Sequence, residues 1–235
     1  MLLQVGKREH GNRFTQVIIA ALNEEEGIGL TITELQAHLG GPRVLVVDGR
    51  STDRTVDVAK SMGADIVFQD GLGKGDALAR AIAFSDLAVG YVVITDADFT
   101  YPAEYVPEMI RILEKNPDVG MVLGNRFNGQ VDQETFRDMF YFGNRFIAWM
   151  HNMLNGVHLH DPLTGLRVVR AEILKDWNIK SKSFDVEVEL NRYVERKGFG
   201  IVEVPIHYRR RLGEKKLKIR HGATILKRII LETIY

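Results

Sequence analysis

Asp96-Ala97-Asp98 closes the apolar run Tyr91-Val92-Val93-Ile94-Thr95, so two carboxylates leave a rigid element with one small residue between them. Hard oxygen ligands at that spacing suit Mg2+ or Mn2+ bridging a diphosphate. The plain alternative is a loop leading into a helix, with Pro102 and Glu104 beyond it. Three more polar clusters follow other strand-like runs: Asn23-Glu24, Asp48 and Asn125-Arg126. Each one alone is most simply a turn or a cap. Their coincidence at strand ends carries the signal, because open α/β sheets bind ligands outside the carboxyl ends of their strands. From there Glu24 and Asp48 can hydrogen-bond a ribose or a base.

Gly71-Leu72-Gly73-Lys74-Gly75-Asp76-Ala77 is a glycine-rich loop carrying one lysine, suited to close backbone approach to a nucleotide or sugar. No Ser or Thr follows Gly73-Lys74, so the phosphate-loop pattern fails, and the glycine spacing is not the dinucleotide fingerprint. The run from Tyr208 through Arg209, Arg210, Arg211, Lys215, Lys216 and Lys218 to Arg220 is the strongest basic cluster and can close over phosphates. A solvated or membrane-facing charge run is its alternative. His158, His160 and Asp161 have metal-binding chemistry, but no third or fourth ligand declares itself, and a loop role for Asp161 beside Pro162 and Gly165 is simpler. Asp96-Ala97-Asp98-Phe99-Thr100 also fits the Asp-x-Asp-x-Thr loop of haloacid-dehalogenase-type phosphatases, although three strand units precede it here.

Short β-branched runs alternating with amphipathic stretches must position these groups, the pattern of an α/β chain with a mainly parallel, Rossmann-like sheet flanked by helices. Strands are predicted at 14–21, 43–47, 65–68, 91–95 and 119–123, with helices at about 25–39, 51–62, 74–89 and 102–115 between them. A helical stretch from about 132 to 155, a strand at 166–170, a helix at 184–197, a strand at 200–208 and a final helix at 221–234 complete the prediction. The expected organisation is a flexible leader over 1–13, a catalytic domain over 14–210, and a basic loop with an amphipathic helix over 211–235. The leader lacks the apolar stretch of a signal peptide.

In the 235 residues Lys plus Arg and Asp plus Glu balance at 31 each, which gives no support to charge-driven nucleic-acid binding. There is no cysteine, which excludes disulfides, thiolate catalysis and cysteine-bound zinc. No apolar run approaches the roughly 20 residues of a spanning helix. The stretch from Phe136 to Met150 and the one from Ala223 to Tyr235 mix apolar residues with Arg and Lys, as helices lying in a bilayer interface do, though core packing explains them equally well.

Taken together, these motifs resemble family 2 glycosyltransferases, specifically the polyprenyl-phosphate sugar synthases typified by dolichyl-phosphate mannose synthase. The carriers are Asn23-Glu24, Asp48-Gly49-Arg50-Ser51-Thr52-Asp53, Gly73-Lys74-Gly75, Asp96-Ala97-Asp98, Gly124-Asn125-Arg126, Asp161 to Gly165, Glu187, Glu189 and the run from Arg210 to Leu217. The resemblance implies a GT-A fold with C-terminal amphipathic interface helices. It also implies that Glu24, Asp48 and Lys74 bind the donor, that Asp96, Asp98 and Thr100 hold the metal, with Asp96 and Asp98 on the diphosphate, and that Arg210 and Lys216 grip phosphates. Arg126 would take the acceptor phosphate, assisted by Arg137 or Arg145. Thr100 stands where mannose synthases often place a metal-binding Gln, Ala20 where a Pro usually stands, and Gly49 where a second Asp does.

The implied reaction is inverting transfer of a hexose from GDP-mannose, UDP-glucose or UDP-N-acetylglucosamine to dolichyl or polyprenyl phosphate, on the cytoplasmic face of a membrane with the protein bound peripherally. Asp98 and Arg126 would carry the chemistry. A hydroxyl acceptor would instead need a base such as Asp185, Glu187 or Glu189.

Overall fold

The computed structural model describes residues 15–127, 139–155, 158–214 and 219–234. Their elements run β1 (Thr15–Ala21), α1 (Ile28–Leu39), β2 (Arg43–Asp48), α2 (Thr55–Ser61), β3 (Asp65–Phe68), α3 (Lys74–Phe84), β4 (Tyr91–Asp96), α4 (Val106–Lys115) and β5 (Val119–Asn125). There follow α5 (Met139–Asn155), β6 (Arg167–Arg170), α6 (Ala171–Leu174), α7 (Val186–Arg196), β7 (Gly200–Pro205) and α8 (Ile219–Ile234).

Seven strands form one sheet in the order β3-β2-β1-β4-β6-β5-β7. All share one direction except β6, which pairs antiparallel with both β4 and β5. Because β6 runs backwards, its leading segment, Thr164-Gly165-Leu166, lies at the same sheet edge as the carboxyl ends of β4 and β5.

Strand side chains alternate between two apolar layers, as a period of two requires. Val17, Ile19, Val44, Val46 and Val93 face α1, α2 and α4, while Ile18, Leu45, Val47, Val92 and Ile94 face α3 and α7. Helices on both faces account for the near-continuous hydrophobic strands. A smaller cluster of Ile147, Val188, Ile225 and Ile229 joins α5, α7 and α8.

The differences from expectation have local causes. α1 begins at Ile28 because the preceding backbone is held elsewhere: Glu24 N–H donates to Thr55 Oγ1 at 2.7 Å and Glu25 N–H to Asp53 Oδ2 at 3.2 Å. α3 stops at Phe84, where Ser85 is extended and Asp86 accepts from the Ala88 N–H, so the helix falls short of Val89. The single turn of α6 carries no periodic signal long enough to read.

Candidate active site

The strand-end residues converge. β1 parallel to β4 brings the ends of both strands together, and β2 carries Asp48 to the same edge. The backbone is bent sharply where the polar groups emerge: Asn23 and Phe99 adopt left-handed φ values of 50° and 63°. Such conformations cost energy for a residue with a Cβ and persist where surrounding contacts enforce them. Asn23 is enforced by Ser51 Oγ accepting its N–H at 2.8 Å and by its own Oδ1 accepting the Thr52 N–H at 2.8 Å.

Asp98 is held from behind. Thr100 is 0% exposed, and its hydroxyl and N–H donate to Asp98 Oδ1 at 2.6 and 3.2 Å. The other oxygen, Oδ2, lies 3.0 Å from Arg211 Nη1, while Arg211 Nη2 binds Glu24 Oε1. One guanidinium therefore bridges two acids from different strand ends. Burial and the adjacent Asp96 charge push the Asp98 carboxyl above its usual range.

Asp96 receives a different cation. Lys74 Nζ lies 2.7 Å from Asp96 Oδ1 and 2.7 Å from Glu187 Oε1. Burial alone would raise the Asp96 carboxyl, but Lys74, with Arg211 and Arg126, outweighs it and holds the group low. For Glu187 burial prevails over Lys74 and the carboxyl rises. Gly165 makes room for the arrangement: a Cβ there would come within 2.3 Å of Asp96 Oδ2 and 2.9 Å of Tyr101 Cε2.

Arg126 is clamped. Asp161 takes its Nε and Nη2 at 2.7 Å each and its backbone N–H at 3.0 Å, while the guanidinium carbon lies 5.4 Å from the centre of the Tyr208 ring. Its Nη1 has no partner among the described residues. Arg145 reaches the same Phe127 ring as Arg126, at 5.8 against 5.5 Å from the centroid.

The other residues implied by the resemblance take contacts set by the fold. Asp48 is 0% exposed and both its oxygens bind Ser51, so it shapes the loop beside Asn23. Lys74 is 8% exposed and ion-paired with both Asp96 and Glu187. The flanking glycines answer to another chain segment, since a Cβ on Gly73 or Gly75 would strike the carbonyl oxygens of Lys182 and Ser181 at 2.3 and 2.1 Å. Arg210 is exposed, and Arg211, its neighbour, is the arginine in the site. Lys216 and Arg137 lie outside the described residues. Asp161 does more than brace a turn, because it orients Arg126. Arg211 belongs to a run of three arginines, and choosing among them requires the loop backbone.

The family model for glycosyl transferase family 2 matches residues 16–177. The chain is 36% identical over 218 residues to a dolichyl-phosphate hexose transferase of Haloferax volcanii, covering 91% of each. It is 31% identical over 192 residues to the glycosyltransferase AglJ of the same organism, covering 82% of this chain and 62% of that one. Among solved structures, glucosyl-3-phosphoglycerate synthase from Mycobacterium tuberculosis with Mn2+, UDP-glucose and phosphoglyceric acid superposes with a TM-score of 0.73 at 22% identity, covering 94% of this chain and 79% of that one. That likeness is one of fold, the GT-A sheet with its helices on both faces. The match over most of the sheet and the relative matched over nine-tenths of both chains make the chain a member of glycosyl transferase family 2, and so a glycosyltransferase.

Proposed function

We propose that the chain transfers a hexose from a nucleotide-sugar to dolichyl or polyprenyl phosphate, with inversion, at a membrane surface. The observation that carries the reading is the state of the acids a hydroxyl acceptor would require. Glu187 is bound to Lys74. Glu189 accepts the backbone N–H groups of Lys180 and Ser181 at 2.8 and 2.7 Å. Asp185 accepts from Arg228 Nε at 3.0 Å. Each of the three carboxylates is thus committed to a partner within the protein. A phosphate acceptor is already ionised at neutral pH and needs no general base.

Asp96 and Asp98 fit a Mg2+ or Mn2+ ion, the ions with which relatives of this fold were solved. They are hard oxygen donors, and their combined charge already draws a protein cation to Asp98. Among the described residues no three His, Cys, Asp or Glu side chains surround one point, so the pair would share the ion with donor oxygens. When bound, the ion neutralises charge developing on the departing diphosphate. Thr100 then serves by aiming Asp98, and Lys74 by keeping Asp96 ionised. Glu24 is the acid placed for the ribose, and Arg211 and the basic loop for the diphosphate. Arg126, oriented by Asp161, offers Nη1 to the acceptor phosphate, with Arg145 beside it, so that two mutually repelling anions are held in line. GDP-mannose, UDP-glucose and UDP-N-acetylglucosamine remain alternative donors. Arg126→Gln is expected to raise the acceptor KM about 10–100-fold, the worth of a charge-assisted hydrogen bond, while the affinity for nucleoside diphosphate stays within about twofold. An unchanged acceptor KM would remove Arg126 from the acceptor site.

The membrane reading rests on α5 and α8. Phe146, Trp149 and Met153 follow one another at helical spacing on α5 and are 52%, 56% and 55% exposed, with Ile230 and Leu231 exposed on the adjoining α8. Among the described residues no helix is long and apolar enough to cross a membrane. Replacing both Phe146 and Trp149 with Ser is expected to reduce co-sedimentation with anionic vesicles at least tenfold, given about 1.5–3 kcal/mol for each buried aromatic side chain. Equal sedimentation of both proteins would place the lipid contact elsewhere.

A further inference from the structure

Three consecutive arginines follow β7, and the fold gives each a different fate. Arg209 turns outward, ion-paired with Glu34 at 2.9 Å and stacked 4.4 Å from the centre of the Phe99 ring. Arg210 is exposed. Arg211 turns inward and binds Glu24 and Asp98 together, two side chains that are each 7% exposed.

This placement is imposed by the backbone on both sides of Arg211. The N–H of Arg209 donates to the Thr100 carbonyl at 3.0 Å, and the N–H of Leu212 donates to the Asp98 carbonyl at 3.2 Å. The segment is therefore stitched along the Asp98–Thr100 loop, and the side chain between the two stitches points at the carboxylates. Gly213, the next residue but one after Arg211, is left-handed at φ 75°.

A guanidinium in that position contends with whatever else the two acids would hold. It supplies one positive charge where a divalent ion would supply two, and an incoming ion must approach Asp98 past a like charge a few ångströms away. A nucleoside diphosphate changes the balance. Its oxygens are planar-paired acceptors for a guanidinium, as the carboxylates are, so Arg211 can exchange one set of charge-assisted bonds for another and leave Asp98 to the ion.

We infer that Arg211 is the resident counter-ion of the metal site, so that the divalent ion and the donor diphosphate enter together and Arg211 passes from the carboxylates to the diphosphate. The inference rests on the proposed assignment of the ion to Asp96 and Asp98. It makes metal and nucleotide binding reciprocal: each enlarges the affinity for the other by the same factor. It also keeps the acids neutralised when no donor is present.

The test measures Mn2+ binding alone, by the electron paramagnetic resonance signal of the free ion, and again with saturating GDP or UDP. For the unaltered chain the nucleoside diphosphate is expected to tighten Mn2+ about 100-fold or more. Arg211→Gln removes the competing charge and is expected to tighten nucleotide-free Mn2+ binding about tenfold while shrinking the nucleotide effect to about tenfold. Arg211→Lys, which keeps a cation but loses the two-pronged geometry, should fall between the two, and it provides the test if the Gln variant does not fold. Nucleotide-free affinity that is unchanged or weaker in both variants overturns the inference. Asp98→Asn separates the two levels of the argument: if it leaves Mn2+ binding intact, the metal assignment itself has failed, whatever Arg211 does.

Discussion

Replacing Lys74 with Met is expected to destabilise the chain by about 3–5 kcal/mol at neutral pH, the usual effect of removing one partner from a buried ion pair. Lys74 and Glu187 are each 8% exposed, and the lysine also holds Asp96. Without it, two carboxylates face each other in a site poor in water. The deficit should narrow as the pH falls. Glu187 has a folded-state value raised above its unfolded one by burial, so the folded chain binds that proton more readily and protonation favours folding. Asp96 works in the opposite sense in the unaltered chain: its lowered value gives stability above the unfolded carboxylate range, lost as the pH falls through the folded value. Lys74→Met removes that contribution and leaves the Glu187 proton as the main relief. Urea unfolding of both chains at pH 7 and pH 5 measures it. A loss below about 1 kcal/mol at pH 7, or one that grows toward pH 5, contradicts the buried triad. A Lys74→Met, Glu187→Gln double variant should recover part of the loss, since the two sites share one interaction.

Asp98→Asn is expected to lower sugar transfer about 1000-fold or more, because the change removes a charged ligand at the position where leaving-group charge is neutralised. Folding should be nearly untouched. An asparagine carbonyl still accepts from Thr100, and removal of the negative charge relieves the repulsion from Asp96 that helps to raise Asp98. A thermal midpoint within about 4 °C of the parent corresponds to about 1 kcal/mol in a chain of this size. Transfer within tenfold of the parent would take Asp98 out of the reacting centre.

Much of this site is legible from residue order alone, and the reasons for the rest are specific. Asp96, Asp98, Glu24 and Arg126 stand directly after apolar runs, and a parallel sheet necessarily brings such ends to one edge. Lys74 resisted because a glycine-rich loop around a lysine has two physical explanations. Here the glycines admit the backbone of Ser181 and Lys182, a contact more than a hundred positions away that no local pattern encodes. Arg210 and Arg211 are chemically identical, and only the hydrogen bonds of Arg209 and Leu212 to the neighbouring loop decide between them. The sequence predicts a strand at 166–170, but so short a run carries no information about direction, and its reversal is what brings Gly165 against Asp96. Arg167 shows the same limit. It is 1% exposed inside an apolar strand because the carbonyls of Pro162 and Thr164 and the amide of Asn191 converge on it, all supplied by the fold.

The central claim is that the acceptor is an anionic lipid phosphate needing no base. The most direct measurement offers the protein radiolabelled GDP-mannose, UDP-glucose and UDP-N-acetylglucosamine in turn, with Mn2+ and either a polyprenyl phosphate or the matching polyprenol. The account predicts label in the organic phase with the phosphate only, released by mild acid as expected for a sugar joined through a phosphate. Equal or faster transfer to the free alcohol would contradict it, because the alcohol must lose a proton to a base and the phosphate need not.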